Sequence, residues 1–276
     1  MLRHPDIDPV AISLGPLDVH WYGLMYLCAF ATAWWLGRLR ARRPGSPLTA
    51  EQIEDLVFWC AIGVVLGGRL GYALFYGFDH LVADPWWLFR VWEGGMSFHG
   101  GAIGVVLAII IFARVNKLDM VALGDLVAAA TPIGLFFGRM ANFVNGELWG
   151  KVSDVPWAMQ FPAAAIRAPD GTVLSNPARH PSQLYEAALE GVVLFAILYV
   201  LIHRFGILKR PGLAIAVFWA GYGLFRFLVE EFFRENSHQS LGIISMGALL
   251  SLAMFAFAAV FFWYSLYRKG PALQTQ

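Results

Sequence analysis

His99, Arg139 and Arg226 are three ionisable residues lying in or beside long apolar runs. A charge near the middle of a bilayer costs roughly 2.5–3.5 kcal/mol on insertion scales, so each such residue implies a partner and a purpose. Guanidinium groups present a planar fork of donors that matches phosphate oxygens. Imidazole is the usual proton acceptor near neutral pH. Arg139 opens the densest polar run of the chain, Gly138-Arg139-Met140-Ala141-Asn142-Phe143-Val144-Asn145-Gly146-Glu147-Leu148-Trp149-Gly150. His99 stands among glycines, in Gly94-Gly95-Met96-Ser97-Phe98-His99-Gly100-Gly101, where a backbone can approach a ligand closely. A base together with a phosphate clamp is equipment for group transfer on a phospholipid, from a site opening laterally to lipid. There is no HExxH, no paired cysteine motif and no aspartate-rich motif, so no metal or other cofactor is expected.

The elements that position these residues follow from composition. The chain has 276 residues, of which 58% are hydrophobic and 14% charged. Its mean hydropathy is +0.59. A soluble domain carries about 25% charge, so the expected class is an all-α, polytopic membrane protein. The net charge of +1 gives no reason to expect a nucleic-acid partner. Cys28 and Cys60 fall within apolar runs and read as packing residues. Seven apolar stretches are long enough to span as helices, at about 17–37, 55–76, 96–113, 121–141, 183–202, 212–230 and 241–264. The first of them is long enough to remain in the bilayer rather than serve as a cleaved signal.

Connections on one side of these spans hold 11 Lys and Arg, and those on the other side hold 6. The positive-inside rule makes the richer side cytoplasmic, with the N-terminus outside and the C-terminus inside. Arg69, His99, Arg139 and Arg226 then gather near the outer leaflet. The longest connection, 142–182, lies on the same side and carries Pro156, Pro162, Pro169, Pro177 and Pro181, which predicts a small folded head within a single catalytic domain covering 1–276. Glu147, Glu186, Glu190 and Glu230 fall in the same zone, and Arg226 and Glu230 are spaced i,i+4 for pairing. Each signal has a plainer reading. Arg139 can be a snorkelling helix-end residue, His99 a structural histidine, and Arg226–Glu230 an internal ion pair. The small-residue run Gly63, Gly67, Gly68 and Gly71 reads as helix packing.

These same residues resemble a known family. The run from Gly138 to Gly150 looks like the signature of the prolipoprotein diacylglyceryl transferases. Further blocks are similar and follow in the family's order: His20-Trp21-Tyr22-Gly23-Leu24, Gly67-Gly68-Arg69-Leu70-Gly71-Tyr72, the glycine-rich stretch around His99, His180-Pro181-Ser182-Gln183-Leu184-Tyr185-Glu186 and Phe225-Arg226-Phe227-Leu228-Val229-Glu230. The resemblance implies transfer of the diacylglyceryl group of phosphatidylglycerol to the lipobox cysteine of a prolipoprotein signal peptide. It also implies release of glycerol phosphate, and a seven-span fold with a periplasmic head in the bacterial inner membrane. By it, His99 matches the histidine proposed as base, Arg139 the arginine on the lipid phosphate, and Arg226 a second essential arginine. Tyr22, Asn142, Glu147 and Gly150 match positions important in the family. With Arg69 and Glu230 of the matching blocks they make up the expected substrate-binding set. The sequence departs from the family pattern at Glu231, an additional glutamate before Phe232-Phe233-Arg234, and at Ala248, where glutamine is common. The first departure leaves Arg234 without an assigned role.

Two other function classes compete. A transporter or flippase for an anionic lipid needs polar residues toward the inner side, where Asp125 is the candidate, and an internal repeat, which the sequence lacks. A scaffold protein would use the same charges only to pair internally. A metal-dependent alcohol phosphotransferase would need aspartates that are not there.

Overall fold

The apolar runs fold as helices, because a helix satisfies its backbone polar groups internally where lipid offers none. In the computed structural model, which describes residues 2–15, 17–42, 46, 48–234, 240–241 and 244–268, they are α1 (Trp21–Ala41), α2 (Ala50–Phe75), the short α3 (Phe78–Ala83), α4 (Phe98–Val115), α5 (Met120–Val144), α6 (Ser182–Glu186), α7 (Leu194–Phe205), α8 (Leu213–Phe232) and α9 (Met246–Tyr267). A π-helical turn, Ala187–Val193, joins α6 to α7 without a break. Among the described residues, six helical stretches are long and apolar enough to cross a membrane: Ala50–Phe75, Phe98–Val115, Met120–Val144, Ser182–Phe205, Leu213–Phe232 and Gly247–Tyr267.

The first and last expected spans start later than the sequence suggested. Leu17–His20 pairs antiparallel with Val10–Leu14 as a hairpin, so the helix begins at Trp21. That helix has 21 residues but falls short of the six in hydropathy. Trp21, Tyr22, Tyr26, Trp34 and Trp35 supply the difference, being aromatics suited to the membrane–water boundary. At the other end, Ser240–Leu241 pairs with Ile244–Ser245, and α9 starts at Met246, where the Ser245 hydroxyl caps it by accepting from the Ala248 N–H at 3.1 Å.

The chain forms two compact units. One holds the residues up to Ala33 and the described residues from Asp125 onward; the other holds Trp34–Gly124. In the second unit α2 lies along α4. The contact is made backbone to backbone by small residues. A Cβ on Gly63 would stand 2.6 Å from the Gly104 carbonyl oxygen, and one on Gly71 would stand 2.8 Å from the Gly100 Cα. The expectation that this glycine run serves packing is met. Thr49 begins α2 with a reciprocal cap to Gln52, and Ser97 begins α4 by accepting from the Gly100 N–H at 3.2 Å. The Ser97 N–H in turn reaches the Gly68 carbonyl at 2.9 Å, tying the start of α4 to α2.

In the first unit α8 packs on α9, α7 and α6. The connection between α5 and α6 is folded. Its strand Met159–Gln160 pairs in parallel with Leu2–Arg3 from the chain's beginning. Ile166–Arg167 and Val173–Ser175 form a small hairpin, and Gly150 bridges to Arg234 beyond α8.

Replacing Gly63 with alanine forces α2 away from α4. Overpacking of this kind costs about 1–3 kcal/mol, to be read as a lowered unfolding midpoint in detergent. Gly134→Ala, whose Cβ would meet nothing within 4 Å, should leave the midpoint unchanged or raise it.

Candidate active site

Three arginines and three glutamates converge in the first unit. Arg139 sits one turn from the end of α5, Glu186 ends α6, Glu190 lies on the π turn, and Arg226 and Glu230 share a face of α8. Arg234 follows α8. Glu186 is the hub. Its Oε1 accepts from Arg226 Nη1 at 2.6 Å and from Arg234 Nη1 at 2.9 Å, while its Oε2 stands 3.3 Å from Arg139 Nε. Glu190 Oε2 accepts from Arg139 Nε and Nη2 at 3.4 and 3.3 Å. The expected i,i+4 pair is formed, with Arg226 Nη2 3.0 Å from Glu230 Oε2, and Arg234 Nη1 lies 3.8 Å from the same oxygen. Glu186 and Glu190 are wholly buried, whereas the side chains of Arg139, Arg226 and Arg234 keep 15%, 20% and 13% of their surface exposed. Two of the three carboxylates are therefore inside, while Glu230, with 12% of its side chain exposed, shares the rim with the guanidiniums. Opposite charges in equal number offset the desolvation that either sign alone would suffer.

The signature run forms a knot beside this cluster. Asn142 donates its Nδ2 to Glu147 Oε1 at 2.9 Å, and Asn145 reaches the same oxygen at 3.4 Å. The Gln183 amide donates to the Glu147 carbonyl, and the Ser182 hydroxyl donates to the Leu148 carbonyl at 2.9 Å. Leu148 takes the left-handed conformation, φ 60°, that this tight return demands. Gly150 then donates its N–H to the His180 carbonyl at 2.8 Å. A side chain there would strike the Phe233 carbonyl and come within 2.9 Å of the His180 Cβ. Because Lys151 N–H donates to that same Phe233 carbonyl at 2.8 Å, Gly150 fixes the backbone immediately before Arg234.

Arg234 is the member that sequence reasoning left without a role. The signal that finds it is the Gly150 bridge, which is a tertiary contact that spacing along the chain does not reveal. Tyr22 belongs to the same unit; it is half-buried, with its ring 5.4 Å from that of Tyr26.

His99 and Arg69 lie in the second unit. His99 is exposed on the first turn of α4, edge-on to Phe98 at 5.7 Å, and its ring has no hydrogen bond among the described residues. Arg69 is buried, and all five of its N–H donors meet backbone carbonyls: Leu88, Trp87, Arg90, Gly95 and Gly94, with the Trp87 ring 4.2 Å away. Its geometry anchors the segment that leads to His99. Asp125, the inner-side candidate for a transporter, is 1% exposed and accepts from the N–H groups of Gly212 and Ile215 at 2.7 and 2.9 Å. It caps the start of α8.

His180 closes the head against the cluster. The Tyr185 hydroxyl accepts from Trp157 Nε1 at 2.6 Å and forms a hydrogen bond with His180 Nδ1 at 3.0 Å. Burial, and then the neighbouring Lys151 charge, hold the His180 pKa below its ordinary value.

A polytopic membrane protein with a buried arginine–carboxylate cluster under a knotted polar loop is thus the class that fold and site define. The prolipoprotein diacylglyceryl transferase family profile matches residues 9–264. Similar proteins include the phosphatidylglycerol–prolipoprotein diacylglyceryl transferases of Allorhizobium ampelinum, 49% identical across 95% of this chain and 91% of the relative, and of Chromohalobacter salexigens, 52% identical across 92% and 91%. That of Methylococcus capsulatus is 50% identical across 94% and 96%. The chain belongs to the prolipoprotein diacylglyceryl transferase family.

Two outcomes follow. Asp125→Ala leaves two buried N–H groups without acceptors, a loss of about 1–3 kcal/mol, seen as a lower unfolding midpoint with activity per folded molecule retained. Because the folded state favours neutral His180, the unfolded chain binds more protons as pH falls through the histidine range. The contribution of His180 is therefore present above its unfolded pKa and lost below it. The midpoint should fall on acidification from pH 7.5 to 5, and His180→Asn should flatten that dependence.

Proposed function

We propose that this chain transfers the diacylglyceryl group of phosphatidylglycerol to the lipobox cysteine thiol of prolipoproteins and releases glycerol phosphate. The observation that carries the reading is the convergence of Arg139, Arg226 and Arg234 on buried carboxylates, with their guanidiniums left partly exposed at one level of a membrane-spanning unit. The names of the relatives supply the substrates. The chain works as a multi-pass protein of the bacterial inner membrane. In this reading α1 is the seventh span, the N-terminus and the 142–182 head are periplasmic, and the C-terminus is cytoplasmic, as the charge bias requires.

A thiol becomes an effective nucleophile only on losing its proton. His99, exposed and without a competing hydrogen bond among the described residues, takes that proton. The thiolate attacks the glyceryl carbon that bears the phosphate. A C–S bond forms, the C–O bond breaks, and its electron pair leaves on the phosphate oxygen. The phosphodiester monoanion becomes a monoester dianion, and Arg139 and Arg226 stabilise the charge as it develops. No cofactor enters the scheme. Tyr22, Asn142, Glu147, Gly150 and Glu230 serve the substrate site, Asn142, Glu147 and Gly150 by shaping the loop beside Arg139. Arg69 serves by holding the approach to His99. The flippase reading has lost its inner-side candidate, since Asp125 is committed to α8.

The test is transfer of labelled diacylglyceryl from phosphatidylglycerol to a synthetic lipobox peptide by purified protein in detergent. Label should appear on the cysteine peptide, be absent from its serine counterpart, and fall by at least about a hundredfold with Arg139→Ala, the scale of losing one charge-stabilising donor. Absence of transfer by well-folded wild-type protein that still binds phosphatidylglycerol would overturn the reading.

A further inference from the structure

Glu190 differs from the other two carboxylates of the cluster. Among the described residues Glu186 pairs with three arginines and Glu230 with two, but Glu190 pairs with Arg139 alone. It is fully buried, and among the described residues its second oxygen, Oε1, has no hydrogen-bond partner; Oε2 of Glu186 and of Glu230 also lack one but stand 3.3 and 3.0 Å from arginine nitrogens. A buried carboxylate that leaves half its accepting capacity unused is expensive, and it persists where the position itself matters.

The backbone around Glu190 is fitted to this one contact. It lies on the π-helical turn Ala187–Val193, and such turns are rare, recurring at functional sites. Gly191, the next residue, has no side chain to hold α5 off: a Cβ there would stand 2.6 Å from the Phe136 Cβ and 3.0 Å from the Phe136 Cα. Phe136 precedes Arg139 by three residues, which is one helical turn, so the close approach at Gly191 brings Glu190 level with the guanidinium. Glu190 then takes the Nε–Nη2 edge of Arg139. No hydrogen bond engages Arg139 Nη1 among the described residues, and the side chain keeps its exposed fraction.

We infer that Glu190 is a positioning residue. By gripping one edge of the Arg139 guanidinium from the π turn, it leaves Nη1 and the opposite edge aimed at the phosphate of the lipid substrate. This rests on the proposed function, in which Arg139 receives that phosphate. Glu190 itself does not touch substrate. The consequence is selective: loss of the grip weakens recognition of phosphatidylglycerol and leaves recognition of the peptide intact.

The experiment measures KM for phosphatidylglycerol and KM for lipobox peptide separately, with the unfolding midpoint, for wild type, Glu190→Gln and Glu190→Asp. Glutamine keeps size and one acceptor but removes the charge that makes the bond to a guanidinium roughly twice as strong as a neutral one. The expected result for Glu190→Gln is a rise of about tenfold in KM for phosphatidylglycerol, the scale of 1.4 kcal/mol, with KM for peptide unchanged. Glu190→Asp, which retains the charge on a shorter arm, should fall between wild type and glutamine. Unchanged KM values with only a lower unfolding midpoint, or an equal rise in both KM values, overturn the inference. If Glu190→Gln fails to fold, Glu190→Asp decides: a selective rise supports the inference and an unchanged value overturns it. Failure of wild type to transfer at all would instead refute the proposed function.

Discussion

Everything in the first unit is arranged around the need to keep three guanidiniums together in an apolar surround. Like charges at one level of a bilayer repel, and water is absent to screen them. Glu186, Glu190 and Glu230 answer that repulsion from below, and their own burial is tolerable only because the arginines are there. Neither set is stable alone. The result is a site that is neutral in sum but not uniform in space. Glu186 and Glu190 lie inside, while the three guanidiniums and Glu230 lie at the rim.

Holding such an arrangement requires rigid supports, and the chain builds them with backbone contacts. Gly191 lets the π turn rest on α5, and Gly150 lets the loop after α5 rest on the residues after α8. Asp125 pins the beginning of α8 through two N–H groups, at the opposite end of that helix from Arg226. The second unit uses the same means, with Gly63 and Gly71 along α4. In lipid, where apolar side chains gain little by leaving one apolar medium for another, close backbone packing is the remaining way to make helices adhere. At Gly63, Gly71 and Gly191 the missing side chain is thus a physical requirement of the packing.

Most of the helices could be read from the apolar runs, because length and hydropathy decide them with little help from tertiary structure. Their ends could not. Leu17–His20 and Leu241 are apolar enough to extend a span, yet they pair as strands, since a partner strand satisfies the same backbone groups a helix would. Within the site, Arg226 and Glu230 were readable as a pair because helical spacing brings them face to face. Arg139 was readable as important, and Glu186 and Glu190 as acidic residues of its zone, but not the particular pairing, because the partners lie some fifty residues away along the chain. Arg69 shows the limit of reading charge alone. It shares residue type and apolar setting with Arg139, yet every donor it has is spent on the loop between Trp87 and Gly95.

Arg234 makes the complementary point. It lies past the end of α8, in a stretch where the additional Glu231 obscures the register, and nothing in its neighbours along the chain selects it. What selects it is Gly150, whose missing side chain admits the Phe233 backbone and so turns the next residue toward Glu186. Glu231 meanwhile faces elsewhere, its carbonyl accepting from Lys151 Nζ at 2.7 Å and its carboxylate from the Ser245 hydroxyl at 3.2 Å. The additional glutamate therefore adds no fourth anion to the cluster. It ties the end of α8 to the head on one side and to the start of α9 on the other. The charge balance of three against three is kept because backbone pairing, rather than sequence order, determines which acidic residue turns inward.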